Sequence, residues 1–182
     1  VAAVQIMASW ATRREESAKR AAEVFGARRW FDDPHALIAD PDIDLATVAV
    51  KVPAHRDLVV AALAAGKAVY SESPLGANLG ETEEMAAAVG SQHTAIGLQG
   101  SLNPSVRRAA EIIAKGAIGR VLSARVHATT FGYGPESISA YDYFNKQEAG
   151  ASFLTITTAH VLDVIETALG QIAEVDARTE RL

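Results

Sequence analysis

The chain has no cysteine, which excludes disulfides, thiol nucleophiles and cysteine-ligated metals. It also lacks any signal-like or long apolar segment. With 49% hydrophobic and 21% charged residues, its composition is that of an ordinary soluble chain, so membrane attachment and disorder are not expected and a cytoplasmic location is the default. Basic charge is scarce. The net charge of −5 argues against direct nucleic-acid binding, and the pairs Arg13-Arg14, Arg28-Arg29 and Arg107-Arg108 are scattered, the last two reading as solvated surface. His127 has no second histidine or carboxylate at ligand spacing, so no metal site is expected. The start is equally bare: residues 1–8 are an apolar run that opens on Val1 rather than methionine, with no preceding strand and no G-x-G-x-x-G to cradle a pyrophosphate.

What is present is organised around residues 46–76, ATVAVKVPAHRDLVVAALAAGKAVYSESPLG. Residues 47–50 are rich in β-branched side chains and predict a strand buried on both faces, which Pro53 stops. From Ala54 onward Leu58, Val59, Ala62 and Leu63 share one helical face, and Gly66 followed by Lys67 is a helix ending. Residues 68–71 read as the next strand. A unit of this length makes a right-handed crossover between parallel strands, bringing Lys51-Val52-Pro53-Ala54-His55 and Glu72-Ser73-Pro74 to one carboxyl edge.

On the N-terminal side, Thr12 and Glu15 have capping-box spacing, and Ala18, Ala21, Ala22 and Phe25 follow as a helical stripe. Residues 28–31 predict a short strand, and Asp33-Pro34 starts a brief helix with His35 exposed in its first turn. On the C-terminal side, Asn78 and Glu81 read as a cap, residues 94–98 as a strand, and Gln99 follows at the same carboxyl edge. Asn103-Pro104 then starts a helix with Val106, Ala109, Ala110 and Ile113 on one side and Gly116 as its stop.

From Val121 the pattern changes to alternation. Leu122, Ala124, Val126 and Ala128 oppose Ser123, Arg125, His127 and Thr129, predicting a strand whose polar face is solvated or part of a subunit interface. Residues 131–150 are turn-rich and carry Tyr133, Tyr141, Tyr143 and Phe144, suited either to a carbohydrate-like ligand or to anchoring the loop on its own domain. A final helix is expected to bury Val161, Leu162, Ile165, Ala168 and Leu169. His160 and Asp163 lie off that stripe, spaced so that the carboxylate can hold the imidazole. Histidine exchanges protons near neutral pH, so His160 is either an acid/base or an anchor between domains.

The succession of strand, P-x-H at Pro53-Ala54-His55, a helix ending in A-G-K, a strand and E-x-P-L resembles the NAD(P)-dependent oxidoreductase family of glucose-fructose oxidoreductase and inositol dehydrogenase. The likeness runs through the whole chain. It implies an α/β fold: a partial Rossmann-type parallel sheet, its first strand and phosphate loop absent before Val1, followed by the start of an α+β domain with an open sheet. Residues 1–9 then match the family's second strand, and a complete relative is expected to continue past Leu182. The implied domains are a partial dinucleotide-binding domain, 1–119, and a partial substrate and oligomerisation domain, 120–182, which begins at Gly119-Arg120-Val121.

The same resemblance places Ser9, Thr12 and Arg13 beside the adenine ribose. With no carboxylate there, the cofactor is NADP or NAD, tilted toward NADP. Lys51, Val52, Pro53, His55, Glu72, Ser73 and Gln99 are the other expected cofactor contacts. Two departures stand out. The family's second turn is Glu-Lys-Pro, its lysine touching cofactor and substrate, and Ser73 occupies that place. His160 matches the family's general acid/base in Asp-x-x-x-His, and Ile156 replaces the aspartate.

The implied activity is hydride transfer from a sugar, inositol or related polyol, with His160 and Ser73 as the catalytic pair and homo-oligomers forming through the second sheet. The alternative is a non-catalytic dinucleotide or sugar sensor that regulates a partner protein, as in the family's galactose-repressor-like branch. By itself the chain is expected to bind NAD(P) weakly or not at all, because the resemblance assigns the pyrophosphate donors to the segment before Val1.

Overall fold

Short β-branched and aromatic runs alternate with alanine-rich helices, and in the computed structural model, which describes residues 9–12, 14–130 and 139–180, these runs pair as parallel strands. The chain forms two units, Val1–Ile96 and Gly97–Leu182. In the first, β1 (Ser9–Ala11) lies beside β2 (Arg29–Phe31), with Ser9 opposite Arg29 and Ala11 opposite Phe31. The strand expected over residues 1–9 lies outside the described residues except for Ser9, which opens β1.

Between the strands, α1 (Glu15–Phe25) buries Ala18 and Ala22. The expected capping box does not form. The residue before α1 is Arg14, too late in the chain for Thr12 to cap it. Thr12 Oγ1 instead donates to the Arg14 carbonyl at 2.8 Å, and Lys19 donates to the Glu15 carboxylate at 2.7 Å. Arg29 also departs from the solvated surface expected of it: it pairs with Asp40 and Asp42, and its guanidinium lies 5.1 Å from the Phe31 ring centroid.

The next helix, α2 (Pro34–Ala39), begins where Asp33 accepts from the His35 N–H at 2.9 Å. The central crossover follows as β3 (Leu45–Val48), α3 (His55–Ala64) and β4 (Ala68–Glu72), with Leu45 opposite Ala68 and Val48 opposite Ser71 in parallel register. Gly66 stops α3 with a φ of 74°. The N–H groups of Gly66 and Lys67 then return to the carbonyls of Leu63 and Ala62 at 2.9 and 3.0 Å. Next comes α4 (Leu79–Ala87), where Asn78 accepts from the Glu81 N–H at 3.0 Å and the Glu81 carboxylate accepts from the Ala77 N–H at 2.8 Å. The sheet order is β3, β4, then β5 (Thr94–Gly97).

The core of this unit joins Ile38, Ala46, Val48, Val59, Ala62, Leu63, Val69 and Met85. Each large aliphatic side chain buried there contributes about 1.5–3 kcal/mol. Burial on both faces of β3 is not observed. The Val59, Ala62 and Leu63 stripe of α3 packs with Ala46 and Val48, while Leu45, on the other face, is 54% exposed.

In the second unit, α5 (Pro104–Ala114) begins where Asn103 accepts from the Ser105 N–H at 2.9 Å. Its half-buried stripe is Val106, Ala110, Ile112 and Ile113, whereas Ala109 is exposed. Residues 121–130 form no ladder and are exposed, Leu122 at 80%. Their alternation suits a strand, but a strand exists through its partner's backbone, and no partner occurs among the described residues. Farther on, Phe144 lies 5.4 Å from Tyr141 and 4.4 Å from Tyr143 between ring centroids; Tyr133 is outside the described residues.

A wide π-turn, Phe153–Thr157, capped reciprocally by Ser152 and Thr155, leads into α6 (Thr158–Leu169). Leu162 and Leu169, expected in the buried stripe, are 37% and 41% exposed. The helix instead turns Val164 toward Gly100, and successive residues step 100° around a helix, so Leu162 comes out on the far side. No helix among the described residues is long and apolar enough to cross a membrane.

Candidate functional site

Parallel register sends the chain out of β3 and β4 at the same edge, and both exits are polar. After β3, exposed Lys51 leads through the single turn Val52–Ala54 straight into α3, whose first residue is His55. After β4 come exposed Glu72 and half-buried Ser73, the latter joined to Pro74 by a cis peptide bond.

His55 fastens the two turns together. Its ring is 1% exposed, with Nε2 2.9 Å from the Val50 carbonyl oxygen and Nδ1 3.1 and 3.2 Å from those of Pro74 and Leu75. Carbonyl oxygens face both nitrogens, so an N–H on either one has an acceptor. The turn after β4 also sits closely on α4: a Cβ at Gly76 would lie 3.0 Å from Glu81 Cβ and from Thr82 Oγ1.

The His55 side chain is enclosed by main chain, so its ring supports the carboxyl edge through the carbonyls of both turns. The Val52 side chain is buried as well, leaving Lys51 and Pro53 exposed on the first turn and Glu72 and Ser73 on the second. At β1, Ser9 is the first strand residue. Thr12 follows the strand directly, its N–H donating to the Phe31 carbonyl at 3.1 Å and its Oγ1 2.5 Å from Ser17 Oγ. Arg13 lies outside the described residues.

In the second unit Gln99 is exposed just before the turn Gly100–Leu102, and His160 is half-buried in the first turn of α6. The expected pairing of His160 with Asp163 does not occur. Asp163 Oδ2 accepts from the Ser101 N–H at 2.7 Å, and the His160 ring has no hydrogen-bond partner among the described residues. Ile156 is half-buried within the π-turn.

The Asp163 contact escaped the sequence because its partner is a backbone N–H 62 residues away. Its one local signal, a carboxylate a turn from His160, pointed to the wrong neighbour. Among the described residues no group of three or more His, Asp and Glu side chains is placed to hold a metal ion.

Comparison with known proteins matches residues 4–99 to a family described as "Oxidoreductase family, NAD-binding Rossmann fold" and residues 104–181 to the C-terminal domain of Gal80p. Dehydrogenase aclE of Aspergillus oryzae is 33% identical over 174 residues, covering 92% of this chain and 46% of the relative. The regulatory protein GAL80 of Kluyveromyces lactis, described as acting in galactose/lactose metabolism, is 29% identical over 151 residues, covering 77% and 33%. A levoglucosan dehydrogenase structure in complex with NADH and levoglucosan superposes with a TM-score of 0.79 at 29% identity, covering 91% of this chain and 46% of that one. The chain thus spans less than half the length of each.

Proposed function

We infer, from the premise that the chain belongs to the oxidoreductase family of glucose-fructose oxidoreductase and inositol dehydrogenase with its NAD-binding Rossmann fold, that the protein carrying it oxidises a sugar, inositol or related polyol. The observation that supports this reading most is the pair of polar turns fastened by His55 at the carboxyl edge of β3 and β4, the edge where open α/β sheets take their ligands. The residues there fit a dinucleotide: Lys51, Glu72 and Ser73 offer a cation, a carboxylate and a hydroxyl, and Thr12 follows β1 with a second hydroxyl. A nicotinamide held by these residues would supply the hydride acceptor. His160 takes the substrate hydroxyl proton, and Ser73 donates a hydrogen bond to the oxygen as it becomes a carbonyl.

The family identity carries NAD or NADP as cofactor, and NADP is our preference because Ser9, Thr12 and Arg13 bring no carboxylate to the end of the second-strand segment. Residues 1–119 are assigned to the dinucleotide-binding part and 120–182 to the substrate and oligomerisation part. Homo-oligomers and a cytoplasmic location complete the proposal.

A second reading, a sugar or dinucleotide sensor acting on a partner protein, is favoured by Ser73 and Ile156 at the two family catalytic positions and by the Gal80p match over residues 104–181. Nicotinamide absorbance separates the two. On mixing the protein with NADP or NAD and a panel that includes levoglucosan and myo-inositol, the oxidoreductase reading expects a rise at the reduced-nicotinamide band. Ligand binding with no absorbance change across the panel supports the sensor.

A further inference from the structure

Asp163 belongs to the helix of His160, yet its carboxylate is engaged elsewhere, at the turn following β5. Oδ2 accepts from the Ser101 N–H at 2.7 Å, and the neighbouring glycine is fitted against the same helix: a Cβ at Gly100 would lie 2.7 Å from Val164 Cγ2, 3.1 Å from Asp163 Oδ2 and 3.2 Å from the His160 carbonyl oxygen. Valine is stiff at χ1 and a helix carbonyl is fixed, so nothing there can yield cheaply. The turn Gly100–Leu102 therefore lies directly on the backbone of His160.

Among the described residues the Ser152–Thr155 cap holds the π-turn that precedes this helix. No side chain caps α6 at Thr157, and the helix continues out of the π-turn Phe153–Thr157, whose i→i+5 bonding is the wide helical geometry often found at functional positions.

We infer that Asp163 is a positioning residue: with Gly100 it forms a latch that sets where the His160 imidazole and the Gln99 turn stand relative to each other. The inference rests on the proposed role of His160 as acid/base. A charge-assisted bond from a backbone N–H to a carboxylate is among the stronger hydrogen bonds, and a displacement of about 1 Å at an acid/base group can cost about 100-fold in rate. The latch contributes to proton transfer without touching the substrate.

Three variants of the intact protein test this. Asp163→Ala removes the acceptor, Asp163→Asn keeps an oxygen that can accept from Ser101, and Gly100→Ala pushes the turn away with Asp163 in place. Amide exchange at Ser101 and the 1H–15N resonances of the His160 ring are recorded for each, with exchange at Val69, in the other unit, as a control on folding.

The expected result is at least tenfold faster Ser101 exchange and displaced His160 ring resonances in Asp163→Ala and Gly100→Ala, both returning toward wild type in Asp163→Asn, with Val69 unchanged. Unmoved His160 resonances in both disrupting variants, or no recovery in Asp163→Asn, would overturn the latch. Should Asp163→Ala not fold, Gly100→Ala and Asp163→Asn decide the matter alone. Turnover on the levoglucosan and myo-inositol panel is read in parallel, where the latch predicts a fall in kcat with KM little changed. Absence of turnover in wild type would count against the proposed oxidation, and the exchange and resonance data would still decide the latch.

Discussion

His55 Nε2 lies 2.9 Å from the carbonyl oxygen of Val50. The ring sits where the first turn of α3 meets the chain leaving β3, so removing it opens a cavity and strips partners from main-chain carbonyls at both turns. His55→Ala is expected to destabilise the protein by roughly 2–4 kcal/mol, the combined scale of a lost hydrogen bond or two and a partly collapsed cavity. Urea unfolding of the variant measures it. A loss below about 1 kcal/mol would mean that the turns hold together without the imidazole.

Gly66 and Gly100 resist a side chain for different reasons, which one pair of substitutions can separate. Gly66 has a φ of 74° with nothing within 4 Å of a built Cβ, so Gly66→Ala costs about 1 kcal/mol from backbone conformation alone. Gly100 has no such φ and is crowded by Val164 and His160. A Val164→Ala background should therefore relieve Gly100→Ala in a thermal-unfolding cycle, and no second-site change around Gly66 should relieve Gly66→Ala.

Acid should expose the charged pairs of the first unit. The hydrogen bond from Arg29, then that from the Asp42 N–H, holds the Asp40 carboxyl below its ordinary value of 3.8. A carboxyl lowered by folding stabilises the fold when ionised. Its contribution is complete above the unfolded value and is lost as pH falls through the lower folded one. Glu84, lowered by the hydrogen bond from Arg56, acts with the same sign from its ordinary 4.5 downward. Wild type should exceed Arg29→Ala in urea midpoint at about pH 6, and the gap should close toward about pH 2. A gap independent of pH would remove the carboxylate from the explanation.

Much of this fold was legible because its signals are local. Asp33, Asn78 and Asn103 cap helices through N–H groups two or three residues away, and Gly66 ends α3 through its own φ. Pattern and length gave the crossover, with β3 ending two residues before the expected Val50. Contacts between distant segments stayed hidden. The sequence offers His55 as a cofactor contact, and the carbonyls that enclose it include those of Pro74 and Leu75, 19 and 20 residues on. Asp163 reads as the partner of its helical neighbour, yet a backbone N–H in a remote turn takes it. Residues 122–129 alternate as a strand should, but pairing depends on another segment and cannot be read from alternation.

Turnover should respond oppositely to substitutions at His160 and Ser73. Under the proposed oxidation, His160→Ala should lower kcat on the order of 100-fold with NADP(H) affinity unchanged, since its work is on the substrate proton. Ser73→Lys should raise kcat on the order of 100-fold by placing a cation beside the developing oxyanion. Stopped-flow absorbance on the polyol panel, with calorimetry for the dinucleotide, checks both. A Ser73→Lys protein that folds and binds dinucleotide yet gains nothing would favour the sensor.

Position 73 is separable from the scaffold for a reason visible in the clamp beside it. The imidazole grips carbonyl oxygens of Pro74 and Leu75, groups present whatever side chain stands at their neighbour, and Gly76 seats the turn on α4 by its lack of one. The side chain at 73 is thus left out of the fastening. Lysine or serine can occupy the same turn, and a lineage built on this frame can gain or surrender a charge at that point without first relearning how to fold.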